Sequence, residues 1–445
     1  MRPNINLTKA TLTGALGGLL FGFDTVVIAG AIDALVRLYN LTPQNKGLTV
    51  AIGLVGTVIG ALAAGQVGQK LGSRETLRLT AVLYVVSAVG CGLAWSWPSF
   101  LVFRFIGGLG IGASSVLGPV YIAELAPAKW RGRMVAAFQF NVVFGIMVAY
   151  TSNYVIRTMH LGATEWRWQV GIAGIPAIAF LILLFGIPRS PRWSASQNRV
   201  DEALGVLKMM GEADPEGELK DIRAALAEEH ATAHERVFQW KYRYPLFLAI
   251  SIGAFNQLAG INAILYYIND IFASAGFSQI SGDQQAIAIG ATNFVFTLIG
   301  MSLIDKLGRK TLLLIGAVGT ASCLAGVAWI FGTNSHPGAL LWLLIIYIAF
   351  FAVSQGAVIW VYIGEVFPNS VRSKGQGLGS ASHWFMNTII QLEFPVLVAT
   401  IGKSAPFIFF AVMTVVQFLV VLFVYPETKG QTLEALQRKL VRAER

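Results

Sequence analysis

Two ionisable side chains stand inside otherwise apolar stretches of this 445-residue chain: Asp24 in the first run and Arg104 in the fourth. A charge within a bilayer costs at least about 2.5–3.5 kcal/mol on insertion scales. Each is therefore a candidate for proton or substrate chemistry, with a mutually neutralised structural pair as the plainer alternative. A carboxyl group in a medium of low dielectric favours its neutral form, and a guanidinium beside it favours the charged form. A movement that changes the separation of Asp24 and Arg104 would take up or release a proton. His383 is the only histidine clearly inside an apolar run. It could bond a polar ligand, titrate near neutrality, or satisfy a backbone group. His230 and His234 have the i,i+4 spacing that metal sites use. No carboxylate-rich or Cys-rich pocket accompanies them, so they read as a solvated helix face. Cys91 and Cys323 lie far apart. No metal, phosphate-loop or nucleophile constellation marks an enzyme.

The elements that must hold these charges follow from composition. Of the residues, 55% are hydrophobic and 13% charged, against roughly 25% charged in a typical soluble protein. So few charges cannot cover a soluble protein of this size, and a disordered chain is excluded by the same numbers. At about 20 apolar residues per crossing, the chain accommodates twelve. The first runs through Asp24 to about Ala31, and no cleavage site follows it, so it reads as a membrane helix and not a signal peptide. Others lie near 47–68, 76–96, 99–123, 133–156, 168–187, 245–275, 284–304, 311–332, 338–364, 375–401 and 405–425. The spacing predicts an all-α polytopic membrane protein with two six-helix halves, residues 1–188 and 244–425. A cytoplasmic linker of short amphipathic helices covers 189–243, and a cytoplasmic tail covers 426–445.

Charge placement orients the chain. The net charge is +10. Of 33 Lys and Arg, only Arg37, Lys46, Arg157, Arg167 and Lys403 fall in one set of alternate loops, and Arg104 is within a span. The other 27 fall at the termini, in the 189–243 linker and in the remaining loops. Basic loops mark the cytoplasmic side, which puts both termini there and makes nucleic acid unnecessary as an explanation of the charge. An internal repeat supports the division into halves. Glu124-Leu-Ala-Pro-Ala-Lys-Trp-Arg131 returns as Glu365-Val-Phe-Pro-Asn-Ser-Val-Arg372, and Lys70-Leu-Gly72 returns as Lys306-Leu-Gly308. Parallel repeats of this kind place a substrate site between the halves near the midplane. The carboxylate and arginine of each E-x-x-P-x-x-x-R could pair when a cytoplasmic gate shuts, or serve only as loop-end caps and orientation signals.

Taken in order, the motifs resemble the sugar porter family of the major facilitator superfamily over essentially the whole chain. They are Gly22-Phe-Asp24, Arg104 before a Gly-rich run, Tyr121-Ile-Ala-Glu124 with Arg131-Gly-Arg, and Ser190-Pro-Arg192. Then come Gln257-Leu-Ala-Gly-Ile-Asn262 with Tyr266-Tyr267, Asp305-Lys-Leu-Gly-Arg309-Lys, Trp360 and Pro426-Glu-Thr-Lys-Gly430. The resemblance is to bacterial proton-coupled xylose and glucose symporters and to the facilitative glucose transporters. It implies proton-coupled symport of a monosaccharide, an aldose, by alternating access, with a facilitative uniporter or a polyol (inositol) symporter as the alternative. Proton-coupled members carry Asp at the position of Asp24, which the resemblance makes the proton carrier with Arg104 as its tuner. By the family's pattern the sugar contacts are Gln139, Gln257, Asn262, Asn293, Trp360, Trp384 and Asn387, with Asn256, His383 and Phe21 beside them. Tyr266 and Tyr267 form an extracellular gate, and Glu124, Arg131, Glu365 and Arg372 a cytoplasmic one. The implied partners are the sugar, the proton and the lipid bilayer of a bacterial inner membrane, for a monomer without cofactor or metal.

The chain departs from the family pattern at Asn256 (usually Gln), at His383 (usually Gln or Asn) and at Arg189 (usually acidic). Its first-half loop, Gln69-Lys-Leu-Gly-Ser-Arg74, lacks an Asp and an Arg that are usual there. The stretch Ser354-Gln-Gly-Ala-Val-Ile-Trp360 lacks the usual prolines, which leaves its bend unsignalled.

Overall fold

The computed structural model describes residues 4–232, 235, 237–368, 371–431, 436 and 440, and only the backbone of Ala128, 228–232 and Ser373. The side chain of His230 and all of His234 lie outside the described residues. Among the described residues every regular element is helical. Eleven helices are long and apolar enough to cross a membrane. In chain order they are span 1 (Ile5–Tyr39), span 2 (Pro43–Leu71), span 3 (Ser73–Gly92), span 4 (Trp97–Leu125), span 5 (Lys129–Thr158) and span 6 (Gly162–Gly186). Span 7 (Trp240–Tyr266), span 8 (Gln279–Leu307), span 9 (Arg309–Thr333), span 10 (Pro337–Glu365) and span 12 (Ala405–Phe423) follow. Span 11 is the 29-residue helix Arg372–Thr400, whose apolar content is diluted by His383, Asn387, Gln391 and Glu393. The twelve-span, all-helical architecture expected from composition is therefore the one observed.

Span 1, with 35 residues, rises about 52 Å at 1.5 Å per residue, well past a hydrocarbon core of about 30 Å. Its ends reach the polar zones. The segment between spans 6 and 7 folds into three helices, Pro191–Ser196, Val200–Met210 and Pro215–Thr232. In the middle one Ala203, Val206, Leu207 and Met210 are buried, one apolar stripe at helical spacing.

Contacts divide the chain into two compact units. One comprises Met1–Val27, Val55–Ser152 and Gly162–His234; the other comprises Ile28–Leu54, Asn153–Leu161 and Glu235–Arg445. The first has a core that includes Tyr84, Leu117, Tyr121 and Phe180. The second has one that includes Leu312, Tyr362, Phe367 and Tyr425. The second unit also takes in the facing ends of spans 1 and 2 and the end of span 5.

The sequence repeat is also a backbone repeat. Gly72 (φ 89°, ψ 151°) starts span 3, and Gly308 (φ 93°, ψ 161°) starts span 9. Both φ values are ones that side chains other than glycine's resist.

Two spans are irregular where polar residues gather. Span 7 stops at Leu258, passes through Gly260 at φ 85°, resumes over Ile261–Tyr266, and breaks again at Tyr267 before Ile268–Ser274. A Cβ at Gly260 would run into the Phe410 ring. The hydroxyl of Tyr347 donates to the carbonyl of Ala259 at 2.8 Å, satisfying backbone freed by the break. Span 10 carries a π-helical segment, Ala352–Gly356, between two α-helical stretches. Its irregularity thus arises without proline.

Candidate functional site

In the first unit, span 1 and span 4 bring Asp24 and Arg104 together. Arg104 Nη1 donates to both carboxylate oxygens of Asp24, at 3.0 Å each. The residues are 9% and 4% exposed, so the two charges are held against each other and away from water. Asp24 and Arg104 are 80 residues apart, and only the packing of two spans makes them a pair. Phe21 lies three residues before Asp24 and packs, partly buried, against the unit's core. Gln139 is half-buried on span 5.

In the second unit the broken span 7 meets spans 10 and 11. Gln257, 1% exposed, is the hub of a cluster of amides. Its Nε2 donates to Asn256 Oδ1 at 3.1 Å and lies 3.2 and 3.3 Å from the ring nitrogens of His383, and its Oε1 accepts from Asn262 Nδ2 at 3.0 Å. An amide N–H bonds a ring nitrogen only when the imidazole is neutral there. His383 sits between two indoles, with ring centroids 5.1 Å from Trp360 and 5.0 Å, edge to face, from Trp384. Trp360 is 39% exposed, whereas Trp384 is buried. Asn293 on span 8 and Asn387 on span 11 are buried in the same unit. The arrangement offers amide donors and acceptors beside aromatic faces, which is what a ring of hydroxyls with an apolar face requires. Gln257, Asn256 and Asn262 bond one another within this cluster.

Tyr266 and Tyr267 are both buried at the second break of span 7. The Tyr267 hydroxyl donates to the carbonyl of Gln391 at 2.8 Å, and its ring stacks on Phe394 with centroids 5.0 Å apart.

The repeated E-x-x-P-x-x-x-R motifs meet different partners. Glu365 accepts from Arg309 Nε at 3.2 Å and Nη2 at 2.7 Å, and from Thr428 Oγ1 at 2.6 Å. Arg309 also holds Asp305 at 2.9 Å. Arg372 Nε donates to the carbonyl of Phe367 at 3.3 Å. In the first half Ser73 stands where Arg309 stands in the second, and its hydroxyl donates to Glu124 at 3.2 Å. Arg131 donates to the carbonyl of Ala123 at 3.1 Å and lies 3.7 Å from Glu218 of the linker. Glu427, in the tail motif, caps span 9 by accepting from the backbone N–H of Arg309 and Lys310 at 2.9 and 3.0 Å. Burial pushes its carboxyl up, but backbone donors at Lys429, Arg309, Lys310 and Thr428 outweigh burial and leave it below the usual range.

One cluster was not singled out from the sequence. At the facing ends of spans 1, 2 and 5, Arg157 pairs with Asp283 and donates to the carbonyl of Gly30 at 3.1 Å. Asn269 bridges Asp283 at 2.8 Å to the carbonyl of Ala29 at 3.2 Å. Lys46 lies 2.5 Å from Asp270 and 4.0 Å from Asp33. Two cations and three carboxylates are thus gathered from five helical segments. The one sequence signal was that Lys46 and Arg157 belong to the sparse set of basic residues on their side of the chain.

Comparison with known proteins follows the same lines. Residues 10–440 match the family described as "Sugar (and other) transporter". The arabinose-proton symporter of Bacillus subtilis (strain 168) is 34% identical over 453 residues, covering 98% of this chain and 98% of that protein. The D-xylose-proton symporter of Escherichia coli (strain K12) is 34% identical over 465 residues, covering 96% of this chain and 94% of its own length. The solved structure of the xylose transporter XylE from E. coli in an inward-open conformation superposes with a TM-score of 0.87 at 32% identity, covering 98% of this chain and 100% of that one.

Proposed function

Because the chain belongs to the sugar porter family of the major facilitator superfamily, we propose that it couples proton entry to uptake of an aldose by alternating access. It does so as a monomer in a bacterial inner membrane, with both termini cytoplasmic. The observation that carries the proton half of this reading is the buried Asp24–Arg104 pair. The observation that carries the sugar half is the Gln257 cluster flanked by Trp360 and Trp384. Similarity to named arabinose and xylose symporters supports both.

Asp24 takes a proton when it parts from Arg104 and gives it up when the guanidinium returns to bond both its oxygens. Sugar hydroxyls exchange places with the bonds that Gln257, Asn256, Asn262 and His383 make to one another, so binding costs the site few unmet polar groups. Gln139, Asn293, Asn387 and Phe21 complete the contact set. Tyr266 and Tyr267 close one end of the route, together with the Lys46 and Arg157 clusters. The motifs around Glu124, Arg131, Glu365 and Arg372 close the other. The proton is the only coupling species, and no cofactor or metal takes part.

The test is uptake into proteoliposomes with an imposed proton gradient, set against gradient-free counterflow, across labelled pentoses and hexoses. Asp24→Asn is expected to keep counterflow and lose accumulation. Undiminished accumulation in that variant would sink the proton assignment, and equal preference for inositol would shift the substrate to a polyol.

A further inference from the structure

Span 11 carries polar residues at four-residue spacing: His383, Asn387 and Gln391. The first belongs to the amide cluster already described. The other two continue along the helix toward Tyr267, whose hydroxyl bonds the Gln391 carbonyl. Asn387 and Gln391 are each 0% exposed. Gln391 Nε2 donates to Asn387 Oδ1 at 3.0 Å, which fixes the two amides in one register. The other end of each amide, Asn387 Nδ2 and Gln391 Oε1, is buried and has no hydrogen-bond partner. Reversing both amides leaves the same result, one free donor and one free acceptor. An unmet buried polar atom forfeits its hydrogen bonds to water without replacement, so two on neighbouring turns of one helix call for an occupant.

A hydroxyl is the group that meets both, accepting from an amide N–H and donating to an amide oxygen. We propose that Asn387 and Gln391 form a hydroxyl seat for the transported sugar, with Gln391 a specificity residue two turns beyond Trp384. The inference rests on the sugar-transport reading. An ordered water is the other bearer of a hydroxyl, and the test separates the two.

Binding of a labelled aldose and its monodeoxy analogues is measured on the purified full-length chain, for wild type, Gln391→Met and Gln391→Glu. Met keeps the length and removes the acceptor; Glu keeps an acceptor. In wild type one deoxy analogue should bind roughly 3- to 10-fold more weakly than the parent, the worth of one hydrogen bond. That particular penalty should vanish in Gln391→Met and persist in Gln391→Glu, while the penalties at other positions stay unchanged. If Gln391→Met weakens every analogue alike, or none, the seat holds water or nothing and the proposal falls. If wild type binds no sugar in the panel, the transport reading itself fails, an outcome distinct from a seat that fails in a protein that does bind sugar. Thermal unfolding of each variant separates lost binding from lost fold. An unfolded Gln391→Met leaves the decision to Gln391→Glu, whose loss of the analogue penalty would overturn the seat.

Discussion

At the scale of single residues, Asp24 and Arg104 are joined by geometry that makes them interdependent. Each is nearly excluded from water, and Arg104 Nη1 reaches both oxygens of its partner. Removing one member of a buried pair strands the other, which typically costs about 3–5 kcal/mol, whereas replacing both with neutral groups costs far less. Arg104→Met should therefore lower the thermal stability of the purified protein markedly, and the double variant Asp24→Asn, Arg104→Met should regain most of it. Equal losses in the single and double variants would show that the two do not act as a pair. Both residues were legible in the sequence because a charge in an apolar run is conspicuous. Their 3.0 Å contact was not, since nothing in a linear string sets the rotation of span 4 against span 1. The exchange of Gln for Asn at 256 and the arrival of His383 were visible as departures. That the two share Gln257 as a partner became visible only in the fold.

At the scale of elements, the helix starts are the most legible features and the helix breaks the least. Lys-Leu-Gly at 70–72 and 306–308, read from the sequence as a repeat of the two halves, proves to end at two equivalent helix starts whose glycine backbone angles agree within about 10°. The break in span 7 had Gly260 as its signal. Span 10 had no comparable signal: its Gly356 keeps an ordinary helical φ of −62°, and a π segment needs only an extra residue in the turn. Glu427 illustrates how a short tail stabilises an element remote in sequence by capping the first turn of span 9. Its carboxyl lies below the usual range in the folded chain. Its contribution is therefore complete above the unfolded value of about 4.3 and fades only as pH falls through the lowered folded value. Between about pH 5.5 and 8 it is constant. Transport measured across that window should keep its wild-type profile in Glu427→Gln, at reduced amplitude. A profile reshaped by Glu427→Gln would mean that the tail carboxylate titrates during the cycle.

At the scale of the whole molecule, the charge-poor composition set the number of spans, and the distribution of Lys and Arg predicts their orientation. Counting charges by loop predicts a side of the membrane but no partners. Lys46 and Arg157 therefore looked like residual exceptions, although the fold gathers them with Asp33, Asp270 and Asp283. If this cluster shuts the outer end of the sugar route, loosening it should admit reagents from outside. In a Cys91→Ser, Cys323→Ala background, a thiol from Ala263→Cys should react several-fold faster with a membrane-impermeant maleimide once Asp283→Asn is added. Unchanged labelling would mean that the Arg157–Asp283 pair does not hold this end shut.

The π segment of span 10 has a consequence of its own. Residues 352–356 hold one more residue in the turn than an α-helix would, so all that follows is set back by about 100° relative to a regular helix. Trp360 lies only four residues beyond. Its ring lies 5.1 Å from that of His383, tilted by 57°, on a helix that carries that phase offset. Deleting Val353 should restore regular winding, swing the indole away from the imidazole, and weaken binding of a labelled aldose to the purified protein while leaving the helix content by circular dichroism unchanged. The bearing of Trp360, which we propose to contact the sugar, is thus carried by the winding of its own backbone, where a comparison of side chains alone would miss it.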